Sequence, residues 1–176
     1  DAGSLRVPDD APSAPVVDLA ADSAGGMWVA TAHAGLWRCA QAGCTQAGWS
    51  GRGSPPPLTC VAVSGDGAVW AGTARAGLWR GASGSHRVEL AGLPDASVRA
   101  VLAAPGEAVY VASSLGLTRC GGQGCDAPPL LAGEEALALA DGGDGIVWVG
   151  TAGGGLGYLD QGVYTHAAAA GPDSIR

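Results

Sequence analysis

The 176-residue chain contains no lysine and no phenylalanine, and all nine of its basic residues are arginines. Charged residues make up only 14% of the chain, well below the usual share, and acidic residues outnumber basic ones by 16 to 9. Phosphate binding needs clustered cations, so this balance argues against a nucleic-acid surface. The apolar share of 47% argues against a disordered chain, which combines low hydrophobicity with high net charge.

Long hydrophobic runs are also missing. No apolar stretch approaches the ~20 residues that cross a membrane, so the chain is not expected to span one. No charged-then-apolar signal peptide opens the chain, so if the protein is exported, its signal lies upstream of Asp1. No segment shows the 3.6-residue apolar period of a helix over ten or more residues. The length fits one domain, and the pattern favours strands.

What the sequence does contain is a fourfold internal repeat. Each repeat is anchored on one aromatic residue, and successive anchors lie 42, 40 and 38 residues apart: Trp28, Trp70, Tyr110 and Trp148. Within each repeat, short apolar runs are separated by Asp-, Gly- and Ser-rich turns, which predicts four short antiparallel strands. Four-stranded units of about 40 residues are typical of β-propeller blades. The sequence therefore predicts an all-β propeller fold in which the four anchors are wedges packed between blades.

The repeat also sets the expected domain boundaries. Blades one to four are residues 16–57, 58–96, 97–134 and 135–173. Residues 1–15 are the end of a preceding blade or a linker, because Ser4–Val7 looks like an outer strand, and residues 174–176 start a next blade. The chain is thus expected to be part of a larger ring, although four blades can in principle close on themselves. An open arc leaves two bare apolar blade faces, which predicts an association surface and allows a homodimer.

The repeat resembles a known family. An aliphatic strand is followed by Asp-x-x-Gly, then by hydrophobic-Trp-hydrophobic-Gly-Thr and a Gly-Leu pair, which resembles the two-component regulator propeller repeat. The third repeat departs from this pattern, with Tyr110 for Trp and Ser113 for Thr. Members of that family have seven blades per propeller and form extracytoplasmic sensor regions upstream of histidine kinases or other signalling outputs. The resemblance implies a periplasmic or extracellular bacterial sensing module, a small-molecule or glycan ligand, and a histidine kinase or other signalling output outside this chain.

Two cysteine pairs share one spacing and one place in the repeat: Cys39 with Cys44, and Cys120 with Cys125. Each pair spans a Gly-containing turn between the third and fourth strands, where the Cβ atoms can reach disulfide distance. Disulfides are therefore predicted, and they imply an oxidising compartment; a four-cysteine zinc site and free thiols are the alternatives. The fifth cysteine, Cys60, is expected to be a small buried residue rather than a reactive thiol.

The candidate ligand-binding residues are His33, Arg75 and Arg99. In a propeller, the loops between second and third strands share one face with the loops that lead into each blade. His33 and Arg75 occupy loop positions that vary while their surroundings repeat, and Arg99 at the start of the third inner strand is expected to line the same mouth. Variable polar residues on a fixed scaffold suit ligand binding, and ordinary exposed loop residues are the alternative.

Catalytic motifs are not found in the sequence. Asp22, Asp66 and Asp144 precede the anchor strands and are expected to bind their own turn backbones, with calcium binding as the alternative. The adjacent Glu134 and Glu135 suit a solvated loop better than a catalytic pair. We therefore expect no catalytic residue, no metal and no cofactor. A scaffold for protein partners is the alternative function, and a sialidase- or lyase-type propeller enzyme is less favoured.

Overall fold

A computed structural model describes residues 10–22, 24–49, 53–81, 87–93, 96–104, 106–126 and 130–167. This part of the chain contains β-strands and no helix, which confirms the predicted all-β class. The strands are β1 (Val16–Ala21), β2 (Met27–Thr31), β3 (Leu36–Ala40), β4 (Gly43–Gln46), β5 (Gly48–Trp49), β6 (Leu58–Val63), β7 (Val69–Thr73), β8 (Leu78–Gly81), β9 (Arg87–Gly92), β10 (Val98–Ala103), β11 (Val109–Ser113), β12 (Gly116–Gly121), β13 (Gly124–Cys125), β14 (Leu131–Ala132), β15 (Ala136–Gly143), β16 (Ile146–Thr151), β17 (Leu156–Asp160) and β18 (Val163–His166).

The strands form four antiparallel sheets that follow one another along the chain. Their orders are β1-β2-β3-β4, β6-β7-β8-β9, β10-β11-β12-β13 and β15-β16-β17-β18. The first strands of the sheets lie beside one another in sequence, with β6 between β1 and β10, and β10 between β6 and β15. Each sheet is therefore one blade whose first strand is innermost, and the predicted propeller architecture is confirmed.

Two short strands depart from this plan. β5 leaves blade one and pairs in parallel with β9, the outer strand of blade two, so that the link between the blades becomes part of the second sheet. β14 pairs with β12 beside β13, so the outer strand of blade three is split in two. Trp49 on β5 stacks on Trp79 with 3.9 Å between ring centroids. Trp49, which has no counterpart in the other repeats, is thus packed against the core between blades one and two.

Each inner strand carries a β-bulge after its first residue. The residues in the bulges are Val17, Thr59, Arg99 and Leu137. A bulge adds one residue to a strand, bends it and changes the direction of the side chain. Side chains also join neighbouring inner strands: Thr59 Oγ1 donates to the carbonyl of Val98 at 2.7 Å, and Asp18 Oδ2 accepts from the N–H of Val61 at 2.8 Å.

Neighbouring blades pack through apolar faces, and the pattern is the same at each junction. We call the face that packs on the following blade the trailing face, and the opposite face the leading face. Trp70 on the trailing face of blade two is fully buried against Val98, Val109 and Val111 of blade three. The sheets approach so closely that a Cβ at Gly72 would overlap Cys60 and Val98. This contact explains the glycine in the Trp-x-Gly-Thr motif.

The four anchors are not buried equally. Trp28 and Trp70 are 4% and 0% exposed, and Tyr110 is half-buried in the core between blades three and four. Trp148 is 37% exposed, and its role as a wedge between blades stays a prediction. The trailing face of blade four, on which Trp148 lies, has no further sheet packed on it within the described residues. At the other end, Leu19 on the leading face of blade one is 54% exposed.

Some predicted features lie outside the described residues. These are the outer strand of a preceding blade at Ser4–Val7, the start of a next blade at residues 174–176, and His86. Weak apolar runs near Val88, Leu130 and Val163 predict fourth strands, and these are present as β9, β14 and β18. Blades one and three also have the outer strands β4 and β13, which the apolar pattern does not show.

Candidate functional site

A conserved hydrogen-bonding pattern within the repeat builds the loops between second and third strands. In blade two, Thr73 is buried, and its Oγ1 donates to the carbonyl of Gly77 at 2.8 Å and accepts from the N–H of Ala76 at 2.8 Å. Thr31 makes the same bonds in blade one. In blade four, Thr151 Oγ1 accepts from the N–H of Gly154 in the same way, and its hydroxyl hydrogen is shared between the carbonyl of Gly155 and the carboxylate of Glu134. Gly77 has a φ of 73°, a region that non-glycine residues rarely adopt. The Thr-x-x-x-Gly spacing therefore fixes the loop backbone and leaves the middle residue free.

Each of these loops is also attached to the residue that precedes the inner strand of its blade. The N–H of Ala74 donates to the carbonyl of Pro57 at 3.2 Å, and the N–H of Ser114 donates to that of Ser97 at 2.9 Å. The loop and the start of the inner strand therefore form one rigid edge. Arg99 lies in the bulge next to this edge, so its side chain projects at the mouth of the propeller.

A cavity of about 650 Å³ lies at this mouth between blades two and three. Its lining residues are Ala74, Arg75, Ser97, Arg99 and Ser114. The structure thus brings together two of the three predicted ligand-binding residues, Arg75 and Arg99. The third, His33, occupies the equivalent loop of blade one and does not line this cavity.

The cavity is cationic in a protein whose formal net charge is −7. Arg75 is exposed, and Arg99 donates from Nε and Nη2 to Oε1 of Glu135 at 2.9 and 2.7 Å. The side chains of Arg99 and Glu135 are 45% and 32% exposed, so their ion pair contributes only about 0–1 kcal/mol to stability. Glu135 is the residue directly before β15, so its ion pair with Arg99 joins blades three and four. Among the described residues, the cavity lining holds no carboxylate, histidine or cysteine.

Sequence reasoning missed Ser97, Ser114 and the role of Glu135. Serines before strands and in loops are common in turns, so neither serine is conspicuous by residue type. The signal that identifies them is comparison between repeats: Ser114 stands where the other three blades have Ala32, Ala74 and Ala152. Glu135 becomes conspicuous only through its contact with Arg99, since the two are far apart in sequence.

Two of the three aspartates before the anchor strands, Asp22 and Asp66, stabilise their turns as predicted. Oδ1 of Asp22 accepts from the N–H groups of Ala24 and Gly26 at 2.9 and 2.8 Å, and Oδ2 accepts from Nε of Arg38 at 2.7 Å. The bond from Gly26 is the main reason that the pKa of Asp22 lies below its usual value. Asp144 of blade four is exposed with a φ of 50°, and there the turn hydrogen bond is accepted by Asp141 instead. The arginine partner of Asp22 was not predicted.

Glu134, directly before blade four, is bound to the loop between the second and third strands of that blade. It accepts from Thr151 Oγ1 at 2.6 Å and from the N–H of Gly154, and the bond from Thr151 is the main cause that lowers its pKa. Glu134 and Glu135 therefore have separate partners and do not form a carboxylate pair. His166, at the end of β18, is exposed and lies edge-on to Tyr164 with 5.1 Å between ring centroids.

The cysteines form two disulfides, Cys39–Cys44 and Cys120–Cys125. Each closes the hairpin between the third and fourth strands of its blade, as the repeat spacing predicts. Cys60 is a buried free thiol, and burial raises its pKa to about 11, so it stays protonated at neutral pH. No group of three His, Cys, Asp or Glu side chains is placed to hold a metal ion in the described ranges.

No sequence-family profile and no curated protein sequence matches the chain. Solved structures do match. The extracellular domain of a hybrid two-component system from B. thetaiotaomicron superposes with a TM-score of 0.70 and 18% identity, over 92% of this chain and 23% of that one. Virginiamycin B lyase from Staphylococcus aureus gives 0.73 and 16%, over 96% of this chain and 59% of the lyase. The computationally designed Ika4 protein gives 0.67 and 15%, over 89% and 98%.

These similarities show that the fold is a propeller shared by proteins of different activity. The chain spans only 23 to 24% of the sensor-system domains that it matches. The likeness agrees with the resemblance of the repeats to the two-component regulator propeller. Among the described residues there is no helix with the length and apolar character to cross a membrane.

Proposed function

We propose that this chain is the ligand-sensing part of an extracytoplasmic propeller, with its binding site in the cavity between blades two and three. The observation that carries the proposal is the meeting of Arg75 and Arg99 with Ser97 and Ser114 at one mouth of about 650 Å³. Ligand sites are typically concave, with a few convergent polar groups that fix orientation. In our proposal the loops of rigid blades supply those groups.

The compartment and the output are supported separately. Two disulfides favour the periplasm or the extracellular space, because thiols stay reduced in the cytosol. The fold is shared with the extracellular domain of a hybrid two-component system. We therefore propose that ligand occupancy is passed to a histidine kinase or another signalling output outside this chain.

Thermal unfolding in the presence of small molecules and oligosaccharides tests the proposal. A ligand present at 100 times its Kd adds about 2.7 kcal/mol to the free energy of unfolding and raises Tm visibly. The expected result is a Tm rise that is lost in Arg75→Gln and Arg99→Gln but kept in Arg119→Gln, an exposed arginine outside the cavity. A library in which no compound raises Tm contradicts the proposal, and so does a ligand whose effect survives both cavity substitutions.

A further inference from the structure

The cavity between blades two and three is lined by residues that differ from those at the same repeat positions in the other blades. Four of its five lining residues differ from their counterparts in other blades. Ser97 replaces Pro15, Pro57 and Glu135; Ser114 replaces Ala32, Ala74 and Ala152; Arg99 replaces Val17, Thr59 and Leu137; and Arg75 replaces His33 and Gly153.

The shared backbone bonds of this edge do not depend on these four side chains, although Ser114 Oγ also accepts from the N–H of Ser97 at 3.2 Å. The backbone bonds at the edge are the same in every blade: the N–H groups of Ala32, Ala74, Ser114 and Ala152 each donate to the residue before the inner strand. The bulges occur in all four inner strands, whether the bulged residue is apolar or charged. Polar residues that differ between blades and gather on one cavity are typical of binding loops on a rigid scaffold.

The chemistry of the gathered groups defines the class of ligand. We propose that the cavity binds ligands through their carboxylate groups, as in acidic sugars or small organic acids; this inference rests on the proposed sensing function. Two guanidinium groups and two hydroxyls line the cavity, and no lining residue among those described is acidic. A guanidinium presents a planar set of donors that matches the two oxygens of a carboxylate.

Glu135 already provides a carboxylate partner for Arg99. Its Oε1 accepts both Nε and Nη2 of Arg99, at 2.9 and 2.7 Å, so a carboxylate occupies the donor fork of this arginine in the free protein. Both side chains are partly exposed, and an exposed pair of this kind contributes little stability. A carboxylate of the ligand therefore competes with Glu135 for Arg99 at small cost.

The test is calorimetric titration of the whole 176-residue chain with trigalacturonate, D-glucuronate and citrate. Fully methyl-esterified trigalacturonate is the matched neutral probe, and inorganic phosphate and sulfate separate a carboxylate site from a general anion site. We expect at least one carboxylate to bind, with weaker binding at higher salt and at least about tenfold discrimination against its neutral or inorganic counterpart.

Four variants locate the site and separate it from surface charge. Arg75→Gln and Arg99→Gln are each expected to weaken carboxylate binding by about tenfold or more, whereas Arg119→Gln leaves it unchanged. Glu135→Gln removes the internal competitor, so it is expected to tighten binding. If the Arg99–Glu135 pair had only a structural role, Glu135→Gln would weaken carboxylate binding, as Arg99→Gln does.

The outcomes also distinguish this inference from the proposed function. Equal binding of the ester and the acid, or equal loss in Arg119→Gln, overturns the carboxylate preference. Failure of all three carboxylates to bind overturns it too. If a neutral compound then binds in the cavity and depends on Arg75 or Arg99, the sensing function stands and only the ligand class is wrong.

Discussion

Single residues in the turns of this propeller carry well-defined structural tasks, and Asp66 shows how. Its Oδ1 accepts from Ser64 Oγ at 2.5 Å and from the N–H of Ala68 at 3.1 Å, while Oδ2 accepts from Nη2 of Arg80 at 3.0 Å. Burial raises the pKa of Asp66, but these hydrogen bonds and the charge of Arg80 outweigh it, so the pKa lies below its usual value. Blade one repeats the arrangement, and blade three lacks the aspartate, leaving its equivalent arginine, Arg119, exposed.

Replacement of Asp66 by Asn is expected to destabilise the protein at pH 7 by about 1–3 kcal/mol, because the carboxylate acceptor and the partner of Arg80 are lost. Since the pKa of Asp66 is lower in the folded chain, its contribution is present above the unfolded pKa of about 4 and is lost as pH falls through the folded pKa. The variant should thus lose less stability than the wild type on acidification. Urea denaturation at a series of pH values measures both effects.

The matched control for this prediction is Asp144→Asn. Asp144 occupies the same place before the anchor strand of blade four, but its side chain is exposed. Its φ of 50° is one that asparagine tolerates, so a change within about 0.5 kcal/mol is expected. If the two substitutions cost the same free energy, the hydrogen bonds of Asp66 do not have the importance assigned to them.

At the scale of strands and blades, the repeat predicts most of the fold. The aliphatic runs before each anchor are the inner strands β1, β6, β10 and β15, and the anchors lie on the strands that follow. The two-residue strand β5 is not predictable from pattern, because it is held by pairing with a distant strand rather than by its own alternation. The sequence pattern does not predict the bulges either, although one of them directs Arg99 into the cavity.

The candidate site could be predicted only in part, for a related reason. Arg75 and Arg99 are conspicuous because charged residues are scarce and the surrounding positions repeat. His33 does not line the cavity with Arg75 and Arg99, because the cavity lies between blades two and three. The sequence does not specify which two blades enclose it. The ion pair of Arg99 with Glu135 joins different blades and needs the tertiary structure.

Two tryptophans at the same repeat position allow a matched test of blade packing. Trp70→Ala is expected to cost about 3–5 kcal/mol, because the side chain is fully buried between blades two and three. Trp148→Ala should cost about half as much or less, since Trp148 is 37% exposed and the trailing face of blade four bears no further sheet within the described residues. Urea denaturation followed by far-UV circular dichroism gives both values. Equal losses would mean that the face of Trp148 is covered in solution.

On the scale of the whole molecule, one type of interface joins neighbouring blades, and residues of its two halves are exposed on blades one and four within the described part of the chain. The trailing face of blade four carries Trp148 and Leu156, which are 37% and 50% exposed. The leading face of blade one carries Leu19 and Met27, at 54% and 37%. Each face has the composition that is buried inside the molecule at the other junctions, so the two faces are complementary to each other.

We expect the chain to self-associate reversibly through these faces as its concentration rises, because burial of apolar surface stabilises contact. The formal charge of −7 opposes association, and salt screens that repulsion, so association should be stronger at higher ionic strength. Sedimentation velocity over a range of concentrations measures it, and Leu19→Glu or Trp148→Glu should shift the chain towards monomer. Leu115→Glu is the control, since Leu115 is 48% exposed but lies in a loop at the mouth. A chain that stays monomeric at every concentration and salt, or that responds equally to Leu115→Glu, would show that these faces do not attract each other.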